Sequence, residues 1–195
     1  MSTKEFGIKF SGAETMQILH NKIVRFDNVI NSKYVIDLIE EVSKTCYPLE
    51  IVERRPHLTM ELPYLFSKTD NISAIKLRSL ALAYILPAIE KYMFLGHIEK
   101  MEPKKTFITV SKMLPGSIMG QHKDDMEENS KNFIAMFYIN DNFSGGELYF
   151  PEIDFLYKPV AGDVIVYPAK FLHEVKQNLV NDRYSIGYGL RGPVN

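Results

Sequence analysis

Tryptophan is absent from the 195-residue chain, cysteine occurs once, at Cys46, and acidic and basic residues nearly cancel to a formal net charge of -1. Each shortage closes off a class of answer. A single cysteine cannot form an intramolecular disulfide, so the fold must stand on its buried core, and a reducing compartment is its natural setting. Cys46 ends an apolar helical pattern, where a small buried hydrophobe is expected rather than a nucleophile. With charge balanced, no global field draws the chain toward nucleic acid or an anionic membrane; only a local groove of Lys and Arg could do so. The opening MSTKEFGIKF has no long apolar run of the signal-peptide kind, and no stretch is expected to span a bilayer. A soluble, cytoplasmic protein is the expectation.

What is present fits one domain, 1–195, long enough to bury a sizeable core. Its first part, 1–103, reads as a strand and supporting helices. Residues Gln17 to Val29 partly alternate apolar and polar, which predicts a strand. Ser32 then offers an N-cap to KYVIDLIEEVSK, whose Val35, Ile36, Leu38, Ile39 and Val42 recur at helical spacing. A second helix is expected from Asn71–Ser73 through IKLRSLALAYILPAIEKYMF, with Ile75, Leu82, Leu86, Ile89 and Met93 on one face and Pro87 kinking or dividing it. Between the helices, RRPHLTMELPY has two prolines and little periodicity, and reads as loop or edge.

The texture changes in 104–195. Short runs rich in β-branched and aromatic residues (TFITVSKML, NFIAMFYIN, GELYF, DVIVYP, HEVKQ, RYSIGYGL) are separated by Pro115-Gly116, Asp141-Asn142, Ser144-Gly145-Gly146 and Ala161-Gly162-Asp163. Helices followed by strands with no interleaved helix predict an α+β fold, with helices packed on the outside of a two-sheet jelly roll that can host a ligand between its sheets.

Within this strand region, His122 and Asp124 stand two apart in GQHKDD. On extended backbone they would share a side. His173, in FLHEVKQ, can complete two imidazoles and a carboxylate on one face of a metal, leaving the opposite face open, as in non-haem iron(II) oxygenases. Zinc is the competing metal, though its sites favour four-coordinate geometry. Arg183 lies ten residues after His173, and Ser185 shares its strand face. A guanidinium fork and a hydroxyl together suit the far carboxylate of a dicarboxylic acid whose near end chelates the metal.

The order H122-K-D124, S144-G-G-E-L-Y-F-P, G162-D-V-I-V-Y-P, H173-E-V and R183-Y-S resembles the catalytic core of the 2-oxoglutarate and iron(II)-dependent oxygenases, prolyl 4-hydroxylase-like group. The likeness runs from about Thr106 to Leu190. It implies a double-stranded β-helix, a jelly-roll, cupin-like variant. It also implies Fe(II) held by His122, Asp124 and His173, and 2-oxoglutarate anchored by Arg183 with Ser185 and Tyr138 assisting. The implied reaction is hydroxylation with O2, decarboxylating 2-oxoglutarate to succinate, with ascorbate in a supporting role and no catalytic side chain beyond the metal centre. Arg183 replaces the Lys of collagen-type members. Leu114 stands where relatives often carry a tyrosine, so either Tyr138 or another group supplies the missing donor or the co-substrate pocket is arranged differently.

The same resemblance makes a prolyl residue of a peptide or protein the leading substrate. Free amino acids and other small metabolites fit the core equally well, since selectivity lives in loops and N-terminal segments. Nucleic-acid demethylation would use similar chemistry, and the balanced charge speaks against it. A non-catalytic, cupin-like binding module is the rival from another class. Gly145-Gly146 reads as a tight hairpin needing positive φ. Tyr149, Tyr157, Tyr167, Tyr184 and Tyr188 read as core or cleft lining. His20, His57 and His97 are assigned surface or structural places, with a lid or substrate loop as a further reading for His57.

Overall fold

The computed structural model describes residues 15–45, 48–52, 55–62, 71–95, 105–125 and 132–191. Gln17–Val29 is not one strand: it breaks at Asn21-Lys22, giving a hairpin of β1 (Thr15–His20) and β2 (Ile23–Asp27). Asparagine favours such a turn because it tolerates its backbone geometry. Helix α1 (Ser32–Thr45) is capped one residue earlier than expected, the Tyr34 amide donating to Asn31 Oδ1 at 3.1 Å. Asn71 caps α2 (Ile72–Phe94) in the same way, accepting from the Ala74 amide at 2.9 Å. Pro87 does not divide α2, which runs unbroken to Phe94.

The buried residues of α2 are Ala74, Leu77, Leu80, Ala81, Leu82, Ile85, Ala88, Ile89 and Tyr92, so Leu82 and Ile89 of the expected face are buried and Met93 packs partly against the core, whereas Ile75 and Leu86 are exposed. A reading that sought the largest aliphatic residues missed the alanines, which let the helix lie close to its neighbours. By length and hydropathy α2 could also cross a membrane, contrary to the expectation that no stretch would. Lys76 and Arg78 obscure that property in the sequence, and its apolar stripe is packed inside the protein.

The segment read as loop or edge is instead the strand β4 (Arg55–Leu62), flanked by β3 (Glu50–Val52) and β5 (Lys105–Met113). Its Met60 and Leu62 alternate inward to the helix-side core while Thr59 takes the other face. Of the two prolines that argued against a strand, Pro56 is its second residue, where it interrupts little of the ladder, and Pro63 lies outside the described residues. The remaining strands are β6 (Met119–His122), β7 (Phe133–Tyr138), β8 (Ser144–Gly145), β9 (Leu148–Phe150), β10 (Phe155–Tyr157), β11 (Val164–Pro168), β12 (His173–Val175), β13 (Asn178–Val180) and β14 (Arg183–Arg191).

Eight strands form one antiparallel sheet in the order β1-β2-β11-β7-β14-β5-β4-β3, four form a second in the order β10-β9-β12-β6, and β13 pairs with β8. Alternation divides the large sheet's side chains between two cores. Val24, Val110, Phe137, Val166 and Ile186 join both helices in one cluster; Ile134, Tyr138, Ile165 and Tyr167 join Leu148, Phe150 and Val175 of the smaller sheet in the other. The chain is thus a mixed α/β protein built mostly from sheet, with two helices among the described residues.

Polar ties fix these layers. Lys112 on β5 bonds Glu40 of α1 at 2.8 Å, and the Tyr184 hydroxyl of β14 donates to the same carboxylate at 2.6 Å. Asp163, almost fully buried, takes the Arg25 Nε–H at 2.8 Å and a short hydrogen bond from Tyr157, joining β2 and β10 to the turn before β11.

Leu77 has no exposed surface and belongs to the core between α2 and the large sheet. Leu77→Ala should cost about 2–5 kcal/mol of folding stability through lost burial and a residual cavity. Chemical denaturation measures it; a loss under about 1 kcal/mol would show that this contact contributes little.

Candidate active site

Strands β6 and β12 pair in the smaller sheet with His122 directly opposite His173. The ladder therefore brings together two imidazoles 51 positions apart in the chain, their centroids 4.3 Å apart. Strand alternation does not place Asp124, because β6 ends at His122. The amides of Asp124 and Asp125 both donate to the Ala169 carbonyl, at 3.0 and 3.1 Å, and this clamp turns the Asp124 carboxylate toward the histidines. His122 Nε2 lies 3.8 Å from Asp124 Oδ1, and His173 Nε2 lies 3.4 Å from Oδ2.

Backbone carbonyls orient both rings. His122 Nδ1 meets Gly120 O at 2.8 Å and His173 Nδ1 meets Phe171 O at 2.9 Å. A carbonyl only accepts, so each Nδ1 carries the proton and each Nε2 keeps its lone pair for a metal. The three ligand atoms lie within 4.8 Å of one another, and no further His, Cys, Asp or Glu joins them among the described residues. This set fits a divalent ion bound on one face, with its other face open to the cavity.

That cavity, about 250 Å³, lies between the sheets and is lined by all three ligands together with Tyr138, Arg183 and Ser185. Arg183 is only 2% exposed. Its Nη1 approaches Met113 Sδ and Ser185 Oγ, each at 3.4 Å, and its Nε has no hydrogen-bond partner. The guanidinium carbon sits 5.1 Å from the Tyr138 ring centroid and 5.9 Å from that of Phe143. No carboxylate pairs with it among the described residues. Burial lowers the Arg183 pKa and raises that of Tyr138, each shift opposed by the nearness of the other group, and the buried Tyr138 hydroxyl lies near the guanidinium without a well-formed hydrogen bond. A buried cation with no carboxylate in direct contact among the described residues, only the more distant attraction of Glu147, fits an anionic ligand.

Gly146, with φ of +68°, makes room for this arginine: a Cβ there would stand 2.8 Å from Arg183 Cδ. Gly145, with φ of +72°, would place one 2.0 Å from the Gln177 carbonyl oxygen. The glycines do need positive φ, but they do not form a hairpin. They carry the chain from β8 in the two-stranded sheet to β9 in the four-stranded one, because close approach at both positions excludes a side chain.

Every metal and co-substrate residue singled out in the sequence reaches this cavity. Ser185 and Tyr138 are register partners on β14 and β7. Leu114 is partly exposed and does not line the cavity. His57 is buried and lines it, which excludes the surface place among those expected for it. Thr59, Thr109 and Ser111 line it too, Thr59 pairing with Ser111 and Ser111 with Ser185 across three strands. The signal for Thr109 and Ser111 was the alternation in TFITVSKM, whose polar side resembles a solvent-facing strand in the sequence, whereas Thr59 lies in the segment read as loop or edge. His20 is half-buried with its ring 6.3 Å from that of Phe155; Cys46 and His97 lie outside the described residues.

No protein-family profile and no curated protein sequence matches the chain. Solved structures do share its fold. A Pseudomonas putida prolyl-4-hydroxylase matches with a TM-score of 0.60 and 16% identity, covering 88% of this chain and 93% of its own. A prolyl hydroxylase from Trichoplax adhaerens, solved with a hypoxia inducible factor oxygen degradation domain peptide, gives 0.61 and 15% over 88% and 84%. HygX from Streptomyces hygroscopicus, solved with nickel, 2-oxoglutarate and hygromycin B, gives 0.54 and 15% over 89% and 83%. The chain has the fold of 2-oxoglutarate and iron(II) oxygenases, and the His-Asp-His cluster lies between its sheets.

His122→Ala and His173→Ala should each abolish one-to-one Mn(II) binding in anaerobic calorimetry while leaving the circular dichroism spectrum of the metal-free protein unchanged. Retention of stoichiometric Mn(II) by either variant would remove that histidine from the ligand set.

Proposed function

We propose that this protein is an Fe(II) and 2-oxoglutarate-dependent dioxygenase that hydroxylates an unactivated C–H bond, with a prolyl residue of a peptide or protein as its leading substrate. The observation that carries the proposal is Arg183, a buried cation in contact with no carboxylate among the described residues, in the same cavity as two histidines and a carboxylate poised for one metal. His122, Asp124 and His173 would hold Fe(II), and Arg183, with Ser185 and Tyr138, would hold the far carboxylate of 2-oxoglutarate. When bound, iron and the oxo acid together supply the oxidising power, consuming O2 and releasing succinate and carbon dioxide.

The chain's own part is binding and exclusion. Arg183 fixes one end of the dicarboxylate, and a guanidinium fork holds both of its oxygens. Phe143 and the Tyr138 ring cover the guanidinium and keep water from its charge. The carbonyls of Gly120 and Phe171 hold the imidazole tautomers that leave Nε2 unprotonated. No side chain acts as a general base in this scheme. In this reading the two sheets are the halves of a double-stranded β-helix, with residues 104–195 as its catalytic core, 1–103 as buttress, and the helices outside the large sheet. The single cysteine supports a cytoplasmic setting.

The prolyl assignment draws on the fold shared with two prolyl hydroxylases. HygX, on the same fold, was solved with hygromycin B, so a small-molecule substrate is the second reading. Peptide and metabolite panels, read by succinate release and by a mass gain of one oxygen atom, separate them. No succinate from any partner, with or without Fe(II), would favour a binding module instead.

Arg183→Ala should weaken 2-oxoglutarate binding to the Mn(II)-loaded protein by about 2–5 kcal/mol, with metal binding retained. Arg183→Lys should lose less, since charge survives and only the fork is lost. Unchanged affinity in Arg183→Ala would leave the metal site without its co-substrate anchor.

A further inference from the structure

Tyr167 on β11 has no part in the scheme above, although its hydroxyl adjoins the metal ligands. It is 2% exposed, and β7 and β2 pair with β11 on either side. Its ring meets His173 edge-on at 5.2 Å and Phe150 edge-on at 5.1 Å, so the side chain is held from several directions. The hydroxyl makes one hydrogen bond among the described residues, to His173 Nε2 at 3.4 Å.

The direction of that bond follows from the other side of the imidazole. His173 Nδ1 is committed as a donor to the Phe171 carbonyl, so Nε2 is the acceptor and Tyr167 donates. A metal uses the same lone pair. One lone pair cannot serve both, so metal loading leaves the Tyr167 O–H buried without its acceptor, which is costly unless another is supplied.

Two acceptors would then be near: an oxygen of Asp124, and the chelating end of a 2-oxo acid. Asp124 already faces both imidazoles and is the most exposed of the three ligands. The oxo acid would bring a new negative charge into the interior beside Tyr167, where a charge-assisted hydrogen bond is strongest. Resting on the function proposed above, we infer that Tyr167 is a further co-substrate-binding residue, donating its hydroxyl proton in a hydrogen bond to the metal-chelating end of the 2-oxo acid. Arg183 and Tyr167 then divide the ligand between them, the one holding its far carboxylate and the other its reactive end.

Tyr167→Phe removes the hydroxyl and keeps the ring that packs on Phe150 and His173. Mn(II) alone should bind the variant within about twofold of the parent, because a 3.4 Å bond competes weakly with a metal. Binding of 2-oxoglutarate to the Mn(II)-loaded variant should weaken about tenfold, and the visible absorption band of the anaerobic Fe(II)–2-oxoglutarate complex should shift. Equal oxo-acid affinity with an unshifted band would overturn the inference. Weaker Mn(II) binding with oxo-acid affinity unchanged would assign the hydroxyl to Asp124 and overturn it as well. A parent protein that binds Mn(II) but not 2-oxoglutarate would overturn the proposed function and this inference together. If thermal unfolding shows the metal-free variant to be misfolded, fluorotyrosine at position 167 replaces it: oxo-acid affinity should then follow the acidity of the hydroxyl, and indifference to that acidity would refute the role.

Discussion

A guanidinium cannot be neutralised cheaply, and Arg183 is enclosed between two sheets with no carboxylate in contact among the described residues. Taking such a charge out of water costs several kcal/mol when nothing offsets it. Two aromatic rings and a hydroxyl soften the cost, but none is an anion. The rest of the site makes sense around this deficit. Gly146 gives up its side chain so that the arginine stem can pass, and Tyr138 and Ser185 turn polar groups to the same cavity.

The metal cluster depends on a different constraint, the ladder. Pairing of β6 with β12 sets His122 against His173, and Ala169 clamps the loop that carries Asp124. Because carbonyls hold both Nδ1 protons, the ligand nitrogens point inward before any ion arrives. The large sheet supplies the opposite wall. Its outer face is committed to the helices, which leaves its inner face able to carry serines and threonines without destroying the core.

The site was more legible in the sequence than the fold around it. His122, Asp124, His173 and Arg183 announced themselves because metal and carboxylate chemistry restricts residue type and spacing, and that restriction survives in one dimension. Even so, the reason offered for Asp124 was wrong: a backbone clamp places it where strand alternation was expected to. Strand β4 escaped notice because Pro56 within it and Pro63 after it in the sequence argue locally for a loop, while its two neighbours argue for a strand only once the sheet exists. The α2 stripe was legible in part: Leu82 and Ile89 are buried as expected, but Ile75 and Leu86 are exposed, and the buried alanines do not stand out in a hydropathy pattern. His57, Thr59, Thr109 and Ser111 were missed because alternation reports which side of a strand is polar, and says nothing about whether that side meets solvent or a cavity.

The claim on which the account rests is that Arg183 recognises the far carboxylate of an acid whose other end chelates the metal. Anaerobic calorimetry of the Mn(II)-loaded protein tests it, comparing 2-oxoglutarate with 2-oxopentanoate, which has the same carbon chain and a methyl group in place of that carboxylate. The account predicts that 2-oxoglutarate binds at least about thirtyfold more tightly, the lower bound for leaving a buried charge unpaired. Equal affinities would show that the buried guanidinium takes no part in recognition.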